Sequence, residues 1–437
     1  MRDELGSYLT QVSWKNLNQA AKDKLLLCLL ANLSVAVAGT SAMRLPKPPL
    51  HKGHLLFDGG ETSSAREAAF YNAALMHART QDDFHPIGNL HIATIVIPAI
   101  FAQAERLGSK GEAFLDALAV SYATAAGLSR QFSPVTTPRG LRSTSLYTCM
   151  GAAVGVERLH GNNATAMANT LGMASQTSFG TTQCWPDGTD EYQFHVANAA
   201  SQALLCSDLT QAKVLSGKNA LDGPYGFYSA LMGLRPSFQS IKNDFEPNAA
   251  IVETVLKRYP VSGICQPVVR LSEKLALQVK DQAIDKILLE MNAFEMNYPG
   301  TLKEGPVFQS FTDKLMSARY CLTSVISEGH FDFDAFISHN YQKLVPLMAC
   351  TNVISASDLG TLSCRITITL KNGQTIRDEL RNGGAQLALD WSSIDEWAQD
   401  LWMAGKRTPS SYSKTRDVIH DLHKLPLSEL TKCLALD

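Results

Sequence analysis

From Trp14 to about residue 245, apolar and small residues recur at three- and four-residue spacing, a pattern that predicts helix after helix. The run LLLCLLANLSVAVAG from Leu25 to Gly39 reads as a buried helix. It falls short of the roughly 20 apolar residues that cross a bilayer, and Asn32 and Ser34 interrupt it. It also begins too far behind the acidic, polar start MRDELGSYLT to read as a secretory signal. Ser64-x-x-Glu67 predicts a capping box opening the helix AREAAFYNAALMHA. Gly111 to Phe132 predicts another helix, with Phe114, Leu115, Leu118, Ala119, Tyr122 and Ala126 as its apolar stripe. Small residues abound (GAAVGV, NATAMANTLGMAS, VANAASQALL), so neighbouring helices are expected to approach closely.

After Arg258 the pattern changes. KILLEM, from Lys286 to Met291, has strand character, and RITITLKNGQTIR alternates Ile366, Ile368 and Leu370 before Asn372-Gly373. Asn-Gly between alternating segments predicts a hairpin with both turn positions at positive φ. Ser393-x-x-Glu396 predicts a second capping box, with helix from there to the end. The expected architecture is mostly α: an all-helical domain from residues 1–252 and 391–437, with an inserted α+β domain at 253–390. There is no internal repeat and no low-complexity linker.

With 437 residues, 45% of them hydrophobic, the chain is too long for one core and too apolar to be disordered. Its 39 basic and 41 acidic side chains leave no electrostatic reason to expect nucleic acid or a membrane surface. Nine scattered cysteines without CxxC spacing argue against a disulfide framework or a zinc site. They read as reduced core residues in a cytoplasmic compartment.

Asp82-Asp83-Phe84-His85, with His91 six residues on, is the densest polar cluster, and it lies between two predicted helices. Two carboxylates and two imidazoles there can do acid–base work or bind a metal; alternatively an Asp caps the next helix and a His satisfies a buried carbonyl. No second carboxylate set stands at metal spacing. Lys257-Arg258-Tyr259-Pro260 offers a tuned lysine or an anion clamp, or simply an exposed pair of cations. Asp190 to His195 opens an Ala-rich helix with favourably placed acids. Arg142, in RGLRSTS, is either a carboxylate fork or a surface residue. The absence of GxSxG, HExxH, Walker and dinucleotide fingerprints argues against redox and nucleotide chemistry.

Taken in order, five segments resemble the MmgE/PrpD family, which includes 2-methylcitrate dehydratase, cis-aconitate decarboxylase and iminodisuccinate epimerase. They are NAALMHARTQDDFHPIGNLH, with its His-x-x-x-x-Asp-Asp; RGLRSTSLYTCMGAAVGV; DGTDEYQFHVANAASQALL; GPYGFY; and LKRYPVSGICQP. The resemblance spans nearly the whole chain. It implies an all-helical domain with an α+β lid, a homodimer, a small carboxylic acid as substrate, and neither metal nor organic cofactor.

Carried over residue by residue, the resemblance gives His91, Lys257 and Tyr320 as base, acid and proton-shuttle candidates, with Asp82 and Asp83 as the acidic pair. Asp82, Asp83, Phe84, His85, Arg142, Tyr192 and Ser262 are the expected substrate-binding set. The chain departs from the family pattern at Thr80 and Phe84. Arg142 stands where many members have a His, Tyr192 where the dehydratase- and decarboxylase-like members have a Lys, and Ser262 where the decarboxylases have a polar ring. The implied chemistry is proton transfer at the carbon α to a carboxylate. The altered positions lean it toward an isomerase or epimerase and toward a substrate with fewer carboxylates, or a larger apolar part, than citrate. A dehydratase or decarboxylase, a specialised-metabolite isomerase or cyclase, and a non-catalytic binding protein are the alternatives.

Overall fold

The computed structural model describes residues 1–177, 179–305, 308–338 and 341–435. The chain is 59% helical and divides into two compact units. Unit 1 comprises Met1–Thr181, Tyr192–Thr254 and Asp390–Asp437; unit 2 comprises Thr182–Glu191 and Val255–Leu389.

Unit 1 is built on helices α1 (Gln19–Ala38), α2 (Ala65–Ala78), α3 (Ala93–Leu107), α4 (Gly111–Ser129), α5 (Ser143–Arg158) and α6 (Glu191–Gln211). α1 is buried on nearly every face. Its two polar interruptions are satisfied within the helix, Asn32 Nδ2 donating to the Cys28 carbonyl and Ser34 Oγ to the Leu30 carbonyl, both at 2.8 Å. Ser34 Oγ also accepts from Trp402 Nε1 at 2.9 Å, which ties the helix Ile394–Ala404, from the last part of the chain, to α1. By length and composition Gln19–Ser41 would cross a membrane, but 83% of its most apolar stretch is buried inside the protein.

The expected close helix approach is found between α4 and α5. A Cβ on Gly151 would lie 2.7 Å from the Ser121 carbonyl oxygen, and one on Gly155 would lie 2.7 Å from that of Ala117. Only glycine lets these two backbones meet at that separation.

The two predicted capping boxes are corrected. Ser64 Oγ accepts from the Glu67 amide at 3.3 Å, but the Glu67 carboxylate takes the Thr62 hydroxyl at 2.8 Å, so only half of the box forms. At Ser393 no cap forms. The Asp390 carboxylate gathers the amides of Ser392 and Ser393, and Ser393 Oγ turns back to it. A complete box lies instead at Ser310 and Asp313, where an Asp does the work usually assigned to Glu or Gln.

Unit 2 holds helices α7 (Gln266–Val279) and α8 (Ala318–Glu328) and a four-stranded sheet. Its strands are β1 (Ile284–Met291), β2 (Thr351–Ser355), β3 (Cys364–Leu370) and β4 (Thr375–Leu380), in the order β2-β1-β3-β4. β1 pairs parallel with β2 and antiparallel with β3, and β3 pairs antiparallel with β4. Ile366, Ile368 and Leu370 are buried, as their alternation predicts, and α7 packs on β3 and β4. The hairpin turn differs from expectation. Its loop is residues 371–374, only Gly373 has positive φ (87°), and Asn372 Oδ1 accepts from the Gln374 amide at 2.9 Å. All nine cysteines are free and seven are buried.

Candidate active site

α2 ends at Ala78 and the chain reverses through Thr80, a β-branched residue held at φ 50°. The reversal turns Asp82 back toward His77 of its own helix. Asp83 is locked from three sides. Its amide donates to Asn32 Oδ1 at 2.9 Å, Oδ1 accepts from the Ala93 amide at 3.0 Å, and Oδ2 accepts from the Tyr122 hydroxyl at 2.6 Å. Ala93 is the first residue of α3, so this carboxylate caps that helix and meets the positive end of its dipole. Burial, reinforced by Asp83, pushes the Tyr122 phenol well above its ordinary range, which keeps the donor protonated.

Asp82 stands between two imidazoles. Its Oδ1 is 2.9 Å from His77 Nδ1 and its Oδ2 is 2.7 Å from His91 Nδ1. His91 Nδ1 also lies 2.9 Å from the Asp83 carbonyl oxygen. Both neighbours of that nitrogen are acceptors, so it carries the hydrogen and Nε2 is the basic atom of the neutral ring. Asp82 and His77 are buried, whereas the His91 side chain is 17% exposed, so His91 is the member of the cluster that solvent reaches.

Arg142, immediately before α5, is buried behind this pair. One terminal nitrogen donates to His77 Nε2 at 2.5 Å. The other donates to the Tyr192 carbonyl at 2.7 Å and to His195 Nδ1 at 3.3 Å. A guanidinium only donates, so His77 Nε2 is an acceptor and His77 Nδ1–H donates to Asp82. Burial pushes His77 down to about 3, with Arg142 adding to the fall and Asp82 opposing it. Burial and then Arg142 push His195 down to about 3 as well. Asp82 and Arg142 thus form a buried charge pair bridged by a neutral imidazole.

Asp82, Asp83, Phe84, His91, Arg142 and Tyr192, expected from the sequence, come together in unit 1. The Phe84 and His91 rings are 5.5 Å apart, and Tyr192 packs edge-on to His77 with its hydroxyl donating to the Ala78 carbonyl at 3.0 Å. His85 points to other partners. Its Nδ1 accepts from the Gly88 amide at 3.1 Å, and its Nε2 lies 3.4 Å from Glu253, whose carboxyl it holds below the usual range.

Lys257, Ser262 and Tyr320 belong to unit 2. Lys257 is buried, not one of an exposed pair of cations. The Ser262 amide donates to the Leu315 carbonyl at 3.0 Å. Tyr320 is fully buried against Phe308 and Phe336, and its hydroxyl donates to the Phe336 carbonyl at 3.2 Å.

His77, Asp82 and His91 each bring a donor atom within 4.8 Å of the others, a two-histidine, one-carboxylate set of the kind that holds divalent ions. The chemistry of this set does not suit a metal. A metal on His77 Nδ1 would need that nitrogen stripped of hydrogen while Nε2 still faces a guanidinium N–H.

Sequence reasoning singled out neither His77 nor Asn32 as a working residue. The signal for His77 was its five-residue spacing to Asp82; for Asn32 it was an amide inside an apolar run.

A family model described as the MmgE/PrpD N-terminal domain matches residues 3–239. The chain is also similar to the cis-aconitate decarboxylase-like protein oryM of Aspergillus oryzae (strain ATCC 42149 / RIB 40), with 23% identity over 339 residues, 71% of this chain and 70% of that protein.

Proposed function

This chain belongs to the MmgE/PrpD family, and from that premise we propose that it is an acid–base enzyme. It removes and returns a proton at the carbon α to a carboxylate of a small carboxylic acid. The observation that carries the reading is the 2.7 Å approach of Asp82 to His91 Nδ1. An α-proton is weakly acidic, so its removal needs an oriented base and a partner charge that stabilises the resulting imidazolium. His91 Nε2 is that base; the Asp83 carbonyl, which takes the Nδ1 hydrogen at 2.9 Å, orients the ring, and Asp82 stabilises its charged form. Lys257 enters through the family resemblance as the acid or anion-stabilising group.

Return of the proton to the opposite face, an isomerisation or epimerisation, is the first reading. Both terminal nitrogens of Arg142 already donate to protein acceptors. Buried and donating to the Tyr192 carbonyl, His77 and His195, Arg142 is already engaged with the protein, which favours a substrate with fewer carboxylates than citrate. The second reading is a lyase, favoured by the decarboxylase-like name of the Aspergillus relative and by the dehydratases and decarboxylases of the family.

Incubating the purified protein with a panel of carboxylic acids in deuterated water tests both readings. Deuterium at the α-carbon of a product with unchanged skeleton supports isomerisation. Loss of water or carbon dioxide from the product supports the lyase. Ligand-induced stabilisation with no turnover across the panel would overturn the enzymatic reading in favour of a binding protein.

A further inference from the structure

We propose that Arg142 is a positioning residue: by donating to His77 it fixes the direction of the hydrogen bond from His77 to Asp82, which leaves the Asp82 carboxylate to serve His91. The inference rests on the reading of His91 as the base.

The site has one carboxylate between two imidazoles, 2.9 Å from one and 2.7 Å from the other. Whichever ring takes up a proton pairs with that carboxylate and weakens its hold on the other. Geometry breaks the near-symmetry. The Arg142 nitrogen 2.5 Å from His77 Nε2 can only donate, so a proton added there would set N–H against N–H and cation against cation. The His91 ring meets Asp82, the Asp83 carbonyl, Phe84 and His77.

The charged and titratable groups around His77 are Asp82, His91, Arg142 and Tyr192, with His195 on the far side of the guanidinium. His195 accepts from Arg142 as His77 does, so both imidazoles bonded to the guanidinium are held neutral. The proton that enters or leaves this cluster is therefore carried by His91.

Long-range nitrogen–proton NMR on the full-length protein, labelled with ¹⁵N-histidine, reads the tautomer and titration of each ring. His77→Gln and His91→Gln supply the assignments. In the wild type, His77 is expected as the neutral Nδ1–H form down to about pH 5. In Arg142→Gln, His77 is expected to titrate at higher pH and His91 to lose its proton about one unit lower. The His77→Gln amide can donate to Asp82 and accept from Arg142 but cannot ionise. In that background His91 should titrate as in the wild type, with or without Arg142→Gln.

A His91 titration that does not move in Arg142→Gln, or that moves equally in the double variant, overturns the proposal. If Arg142→Gln does not fold, the wild-type spectrum still decides. An Nε2–H tautomer or an imidazolium at His77 near pH 6 overturns it, and the neutral Nδ1–H form supports it. Turnover of His91→Gln is scored separately. Coupling retained while that variant stays active supports the positioning role and sinks only the base assignment; coupling lost while turnover depends on His91 sinks only the positioning role.

Discussion

Asp82 Oδ2 lies 2.7 Å from His91 Nδ1, and the carboxylate that makes this contact is buried while the imidazole is partly exposed. The pairing gives the charged ring a counter-ion, while the Asp83 carbonyl, 2.9 Å from the same nitrogen, orients it. Asp82→Asn keeps the shape but removes the charge, and its amide can present a donor where an acceptor is needed. Turnover is expected to fall by about 10²–10⁴-fold. Steady-state kinetics on the substrate identified by the acid panel check this, and unchanged turnover would contradict it.

Asp83, one residue on, is predicted to behave differently. It caps α3 and accepts from Tyr122, so Asp83→Ala leaves a helix amide and a buried phenol without their acceptor. A stability loss of about 2–4 kcal/mol is expected, and Tyr122→Phe should cost about 1–2 kcal/mol. Urea unfolding of the two variants measures both. An Asp83→Ala protein as stable as the wild type would remove the capping role.

His77 and His195 are pushed down to about 3 from an ordinary value of 6.5. Between those limits the unfolded chain binds protons that the folded chain refuses. Their contribution is therefore complete above pH 6.5 and is lost as pH falls toward 3. Glu105 has the opposite sign. Burial raises it to about 7, so its contribution is lost as pH rises from 4.5 through 7. Below 4.5 it no longer opposes the histidines. There His195→Asn, which keeps an acceptor for Arg142, should flatten the fall in stability by about 1.4 kcal/mol per pH unit. Tryptophan fluorescence suits the measurement, because Trp14, Trp391, Trp397 and Trp402 all lie in unit 1. Equal slopes for variant and wild type would contradict the neutral, buried state of His195.

Tyr320 donates its hydroxyl to the Phe336 carbonyl inside unit 2. Tyr320→Phe is expected to cost about 1 kcal/mol of stability, the ordinary net value of one such bond. It should lower turnover by less than about tenfold, since a phenol committed to a carbonyl is poorly placed to shuttle protons. A loss of about 10³-fold without destabilisation would restore the proton-shuttle role that the family resemblance implies.

Local patterns carried much of this fold. The periodicity of Phe114, Leu118 and Tyr122 gave α4, and the Ile366–Leu370 alternation gave β3, because burial of one face is written directly into residue spacing. Cap chemistry was less legible. Ser393 had the right neighbours for a box, but Asp390 three residues earlier offered its amides a stronger acceptor. The polar cluster at Asp82, Asp83 and His91 stood out in sequence, while its completion did not. His77 sits on an apolar helix face where a histidine reads as core, and it meets Asp82 only because Thr80 adopts a left-handed turn. Arg142 and Tyr192 converge on that histidine from 65 and 115 residues away, and His195 joins them through Arg142, beyond the reach of any local spacing rule.

The central claim is that His91 moves a proton at the α-carbon of a carboxylic acid. Its most direct test is the rate of deuterium wash-in at that carbon, compared between wild type and His91→Gln of matched thermal stability. The account predicts exchange in the wild type and at least about a 10³-fold slower rate in His91→Gln. Exchange at the wild-type rate in the variant would contradict it.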